Sequence, residues 1–278
     1  MRNSYIQKLL GKLNWLVMQM QLQRYSRYQK RFDIDLSFSQ AANRFSTRNE
    51  LHAYAHHYFH HVCHQELREH RRYFSQQGRG FGEDAFHAMW WMIFREFRPE
   101  MCLEIGVFRG QTISLWGLIA KLIDMPAYVH GISPFSPIGD AVSRYSLNVD
   151  YLRDALDAFS LFALRAPTLL KALSTDMTAL SHIKSREWDL IYIDGCHDYE
   201  VVHSDYIECV AQLKAGGILI MDDSSLFSNF IPPKFSFAGH PGPSLVVTEL
   251  AMKEMVFLGA VGHNNVFRKL PVSQGWNV

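Results

Sequence analysis

The sequence predicts a doubly wound α/β protein: a mostly parallel seven-stranded sheet with an antiparallel C-terminal hairpin, preceded by a helical N-terminal extension. Three observations carry that expectation. After Pro99, short apolar runs alternate with amphipathic stretches, as the strands and crossover helices of a parallel sheet do. Before residue 80 the texture is helical throughout. The tail "MVFLGAVGHNNVFRKL" sets two apolar runs around Gly262-His263-Asn264-Asn265, which signals a hairpin.

The elements follow in chain order. Between Met1 and Phe32 there are seven basic residues (Arg2, Lys8, Lys12, Arg24, Arg27, Lys30 and Arg31) and no acid. With Ile6, Leu9, Leu10, Leu13, Leu16 and Met20 near helical spacing, this stretch predicts a basic amphipathic helix. It suits an oligomerisation arm better than contact with an anionic membrane surface, so a homo-oligomer is expected. Thr47 followed by Glu50 is a capping-box pattern, and it predicts a helix to about Ser75, broken by Gln76-Gln77-Gly78-Arg79-Gly80. On that helix His52, His56, His60 and His64 recur every fourth residue. Imidazoles at i and i+4 can ligate a metal. With no evident acidic or thiol partner beyond Cys63 and Glu66, however, the row reads as a polar face packed on the following domain or on a second subunit.

A helix over 84–97 is stopped by Pro99. Strands are expected at 101–106, 127–132, 167–172, 188–193 and 216–221, with helices at about 110–123, 148–161, 175–184 and 199–213 between them. "AGG" at 215–217 reads as the glycine cap of the last helix, and Pro243-Ser244 open another helix to about Glu254. The domains implied are a helical extension over 1–80 and an α/β domain over 81–278. Trp90 and Trp91 read as core or interface. Phe227, Phe230, Phe235 and Phe237, in the loop 224–243, read as a cover over the sheet's carboxyl edge.

Lysine plus arginine number 28 against 27 acids, so no global field points to nucleic acid. No run approaches the roughly 18 apolar residues of a spanning helix, and polar residues interrupt what could pass for a secretory signal. Cys63, Cys102, Cys196 and Cys209 stand far apart, as reduced thiols do. A cytoplasmic protein without a membrane span or nucleic-acid partner is expected.

The chemistry gathers at strand ends, where open α/β sheets bind ligands. "CLEIGVFRGQT" closes the first strand with Glu104, Gly106 and Gly110, spaced acid-x-Gly-x-x-x-Gly, which is not the dinucleotide fingerprint. "LIYIDGCHDYE" leads the fourth strand into Asp194, His197 and Asp198, and "GILIMDD" ends the fifth in Asp222-Asp223. Carboxylates converging from adjacent strands repel, and a hard divalent cation resolves that conflict. The same acids could instead only cap the helices that follow.

Taken in order, "CLEIGVFRGQT", "YVHGISPF", "LIYIDGCHDYE" and "LKAGGILIMDD" resemble the class I S-adenosylmethionine-dependent methyltransferases over residues 100–270. The block "IDGCHDYEVVHSDYIECVAQLKAGGILIMDD" is similar to the metal-dependent sugar O-methyltransferases of macrolide and aminocoumarin pathways, the macrocin O-methyltransferase-like subgroup. The resemblance implies a Rossmann-like methyltransferase domain that binds S-adenosylmethionine and transfers methyl to a sugar or polyol hydroxyl of a small-molecule acceptor, assisted by magnesium. It places Glu104 on the methionine amine, Gly106 and Gly110 beside methionine and ribose, Ser174, Thr175 and Asp176 at the adenine, and Asp194 at cofactor and metal. Asp194, Asp222 and Asp223 would hold magnesium, His197 would act as general base, and Asp198 is the reserve. In the family an acid at the end of the second strand grips the ribose. Here Ser133 stands in that position and offers one hydroxyl and no charge, unless Asp140 fills the gap. Two other readings stay open: a non-catalytic assembly protein with a degenerate pocket, and a methyltransferase for a carboxylate, phenol or amine.

Overall fold

The computed structural model describes residues 2–27, 34–140, 142 and 148–270. The basic helix forms as α1 (Arg2–Arg27), while Lys30 and Arg31 lie outside the described residues. Its apolar residues Leu9, Leu10, Leu13, Leu16 and Met20 are all at least half exposed. The C-terminal end is anchored instead: His57 Nδ1 donates to the Ser26 carbonyl at 3.1 Å, and the Tyr25 ring meets His56 edge-on.

After α2 (Phe38–Arg44), the single helix expected from Thr47 to Ser75 is two, α3 (Arg48–His61) and α4 (Gln65–Ser75). The Cys63 amide reaches five residues back to the Tyr58 carbonyl, which unwinds the last turn, and His64 is extended before α4 begins. Thr47 Oγ1 accepts the Glu50 amide at 3.2 Å as the capping pattern requires. The helix α5 (Asp84–Phe97) forms as expected and ends on Arg98 in the left-handed region, one residue before Pro99.

The sheet follows in β1 (Met101–Ile105), β2 (Tyr128–Ser133), β3 (Thr168–Lys171), β4 (Trp188–Ile193), β5 (Leu213–Met221), β6 (Val256–Val261) and β7 (Asn264–Arg268). The strand order is β3-β2-β1-β4-β5-β7-β6; the first five strands are parallel, and β7 runs antiparallel to both β5 and β6. The crossovers are α6 (Gln111–Leu122), α7 (Tyr151–Leu161), α8 (Met177–Lys184) and α9 (Tyr199–Gln212), and α10 (Pro241–Val246) opens a helical stretch that runs to Glu254. That last helix starts at Pro241, two residues before the expected start.

One expectation about β5 is overturned. Ala215-Gly216-Gly217 do not cap α9, because Leu213 is already extended and begins the strand. Gly216, at φ +80°, sits instead inside β5, where the pairing with β4 shifts register between Trp188 and Leu190.

Side chains of β4 alternate between two cores. Leu190 and Tyr192 face Tyr54, Tyr58, Trp90, Phe94 and Trp116, so residues on both sides of position 80 share that core. Ile191 and Ile193 face Ala179, Ile183, Val202, Tyr206 and Cys209 of α8 and α9. Trp90 lies edge-on to Trp116 and Tyr192, each at 5.1 Å, and serves as core. Among the described residues no helix is long and apolar enough to cross a membrane.

Candidate active site

The hydrogen-bond ladders run one residue beyond the strands. The Asp194 amide donates to the Ile105 carbonyl at 2.8 Å, Asp222 to Ile193 at 3.0 Å, and Gly106 to Ile132 at 2.9 Å. Gly106, Asp194 and Asp222 therefore stand side by side on one edge and line a single cavity of about 650 Å³. Gly106 has φ +102°, and a Cβ there would lie 2.0 Å from the Asp194 carbonyl oxygen, so only glycine permits this approach of β1 to β4. Gly110, at φ +84°, begins α6 against the backbone of Ala155.

Glu104 is 3% exposed; Thr112 and the Ile113 amide hydrogen-bond its carboxyl, yet Oε2 has no partner. Burial, reinforced by Asp222, pushes its pKa up to about 8 despite those bonds. A buried carboxyl with one orphaned oxygen beside a glycine-lined hollow fits a cationic amine. Ser133 is buried at the end of β2 and lines the cavity, as do Ser174 and Thr175. Asp176 does not: its carboxylate accepts the Leu173 amide at 2.9 Å and shapes the loop before α8. The Ser174 hydroxyl is hydrogen-bonded to Asp205, a residue of α9 that burial raises to about 7.

The acids Asp194, Asp222 and Asp223 continue this edge. Burial and the neighbouring Asp222 raise Asp194, and the two carboxyls are hydrogen-bonded to each other. Asp223 lies at φ 49°. Burial opposes its charge, but a hydrogen bond from His197 and the fields of His263 and His240 hold its pKa below the usual carboxylate range. His197 is gripped from both sides, with Nδ1 2.7 Å from Asp140 Oδ2 and Nε2 2.9 Å from Asp223 Oδ2. Burial disfavours its charge, yet the two carboxylates prevail and raise its pKa. Asp140, with a carboxylate 1% exposed, thus holds His197, and Asp198 stays exposed on the rim at the start of α9.

Sequence reasoning missed His263. Local pattern marks it only as a hairpin turn residue, but β7 pairs with β5 so that Asn265 faces Met221, which carries the turn to the edge where β5 ends. His263 Nε2 lies 3.4 Å from Asp222 Oδ1 and 3.5 Å from Asp223 Oδ1, and its Nδ1 donates to the Phe237 carbonyl at 3.1 Å. That second bond leaves Nε2 as the atom that faces the acids. One ligand atom each from Asp222, Asp223 and His263 lies within 4.8 Å of the others; His197, Asp223 and His240 form a second such group. Asp194 touches the first group through Asp222. Of the four loop phenylalanines, Phe237 lines the cavity. Phe230 and Phe235 turn away to pack on His52 and His56, and Phe227 is exposed.

A family model described as "Methyltransferase domain" matches residues 103–224. The fold is that of the class I S-adenosylmethionine-dependent O-methyltransferases. Among solved structures, the chain is similar to the S-adenosylhomocysteine-bound methyltransferase PaMTH1 of Podospora anserina, at 15% identity and a TM-score of 0.55 over 86% of this chain and 99% of that one. It is also similar to an O-methyltransferase of Bacillus cereus in complex with S-adenosylhomocysteine, at 12% identity and a TM-score of 0.54 over 81% of this chain and all of that one. A third is the O-methyltransferase NovP, at 16% identity and a TM-score of 0.50 over 67% of this chain and 80% of that one. A search of curated proteins finds no match.

Proposed function

We propose that the protein is an S-adenosylmethionine-dependent O-methyltransferase acting on a hydroxyl of a sugar or other polyol, assisted by a divalent cation such as magnesium. The observation that supports it most is the single cavity shared by Glu104, Gly106, Asp222 and Asp223. Glu104 Oε2 would take the methionine amine, Gly106 and Gly110 would admit the chain of the cofactor, and Ser133, Ser174, Thr175 and Asp194 would line its ribose and adenine. When bound, the cofactor supplies a sulfonium methyl already activated for transfer, so the protein's work is alignment and removal of the acceptor proton.

The cation would be held by Asp222 and Asp223, with His263 Nε2 in reach and Asp194 behind Asp222; Asp222 Oδ1 has no hydrogen-bond partner and suits this donor set. Such an ion lowers the pKa of a bound hydroxyl. Engaging Asp223 in this way would release His197 Nε2 from its present partner. Asp140 would keep the proton on Nδ1, leaving Nε2 basic and facing the acceptor, with Asp198 on the rim as the alternative. A phenolic acceptor is the second reading, favoured by the rings of Phe81, Phe86, Phe108, Phe135 and Phe237 on the cavity wall. The exposed apolar stripe of α1 supports self-association.

Calorimetric titration with S-adenosylhomocysteine should give one site per chain; absence of heat at millimolar ligand would refute the assignment and favour a degenerate pocket. Turnover on polyol and phenol panels then separates the acceptors. Unchanged turnover in Asp222→Asn and in chelator-treated wild type would remove the cation.

A further inference from the structure

Outside the cleft, the helical extension brings together a donor set that the sequence kept apart. His56 and His60 are one turn apart on α3, and the missing third partner is Asp84, the first residue of α5. One ligand atom from each lies within 4.8 Å of the other two, and His60 Nε2 is 3.0 Å from Asp84 Oδ2. His56 is fully buried, and neither of its ring nitrogens has a hydrogen-bond partner. Two unpaired nitrogens on one buried ring are an unusual cost for a fold to carry. With neither nitrogen bonded, the buried ring can offer a lone pair to an ion. Arg71 Nε holds Asp84 Oδ1 at 3.0 Å, which fixes the carboxylate and leaves Oδ2 as the ligand atom.

We propose that His56, His60 and Asp84 form a metal site of the zinc class that ties α3 to the first turn of α5. Two imidazoles and a carboxylate suit zinc, cobalt or nickel rather than magnesium. At ligand bonds of about 2.0–2.1 Å, tetrahedral donors sit about 3.3 Å apart, so the side chains need draw in by at most about 1.5 Å. The proton now between His60 and Asp84 leaves or moves to Nδ1 as the metal takes its place. The His60 side chain is 34% exposed, so the fourth position opens to water. None of the three residues lines the catalytic cavity, which makes this site separate from the Asp222–Asp223–His263 group.

The test is a cobalt(II) titration of the chelator-treated full-length protein, read by visible absorption. Wild type should show the d–d bands of a four-coordinate ion at one equivalent, displaced by zinc, and Asp222→Asn should retain them. His60→Ala, on the solvent side of the site, should weaken cobalt binding by at least about 100-fold, since even the groups that orient ligands are worth 10–100-fold. Asp84→Ala should do the same, with the fold of both variants checked by circular dichroism. Three results would overturn the site: no four-coordinate bands in wild type, full bands in both His60→Ala and Asp84→Ala, or bands lost only in Asp222→Asn.

Discussion

Replacing Glu104 by glutamine should stabilise the empty protein and weaken its grip on cofactor. The carboxyl has an ordinary pKa of 4.5 and is raised to about 8 in the fold, chiefly by burial. The folded state therefore holds more protons than the unfolded chain between those values, and stability falls as pH rises through that window. Full ionisation over about 3.5 units costs on the order of 5 kcal/mol, an upper bound for what the amide removes. Glutamine can still accept from Thr112 and Ile113, so the expected gain at pH 8 is about 2–4 kcal/mol, vanishing near pH 4. In the proposed site the same side chain would ionise to meet the methionine amine. At pH 7, a group with a pKa of about 8 is about 0.9 protonated, so S-adenosylhomocysteine binding should release close to one proton. Loss of a charge-assisted hydrogen bond, about 1.5–3 kcal/mol, should raise Kd roughly 10–150-fold in Glu104→Gln. Urea unfolding across pH gives the first quantity, and calorimetry in buffers of different ionisation enthalpy gives the others. A variant with wild-type affinity, wild-type proton release and no gain in stability at pH 8 would refute this account of Glu104.

Gly106→Ala places a Cβ 2.0 Å from the Asp194 carbonyl at a left-handed φ; strain and overpacking together should cost about 2–5 kcal/mol, and urea unfolding within 0.5 kcal/mol of wild type would contradict the close approach of β1 and β4. His197 carries a raised pKa between Asp140 and Asp223, so its contribution to the stability of the metal-free protein is present at acidic pH and lost as pH climbs through the raised value. His197→Gln should flatten that alkaline decline, and should lower kcat more than cofactor affinity. Phe237→Ala, which strips a ring from the cavity wall and from His263, should raise the acceptor KM several-fold with little effect on S-adenosylhomocysteine binding; equal loss of both would place the ring at the cofactor instead.

The chain's local patterns determined most of the architecture. A short apolar run between amphipathic stretches located β4 to the residue, Pro99 marked the end of α5, and the acid-glycine spacing marked the end of β1 as a candidate ligand edge. Those signals are legible because backbone sterics and burial act within a few residues. Where a longer-range contact competes, local reading failed. Ala215-Gly216-Gly217 look like a helix cap, but pairing with β4 draws Leu213 into the strand. The helix from Thr47 is broken by the five-residue reach of Cys63 to Tyr58, which no propensity announces.

The same division runs through the site. Glu104, Gly106, Asp194, Asp222 and Asp223 could be named from the sequence, because each closes a strand and strand ends share an edge. His263, by contrast, enters the site from a hairpin turn, Asp140, which the sequence offers only to the ribose, grips His197 from a loop, and Asp84 meets His56 and His60 from a neighbouring helix. Their places depend on how β7 lies along β5 and how α3 lies across α5. Only the packed sheet and its covering helices set those distances, and with them which carboxylate takes which proton.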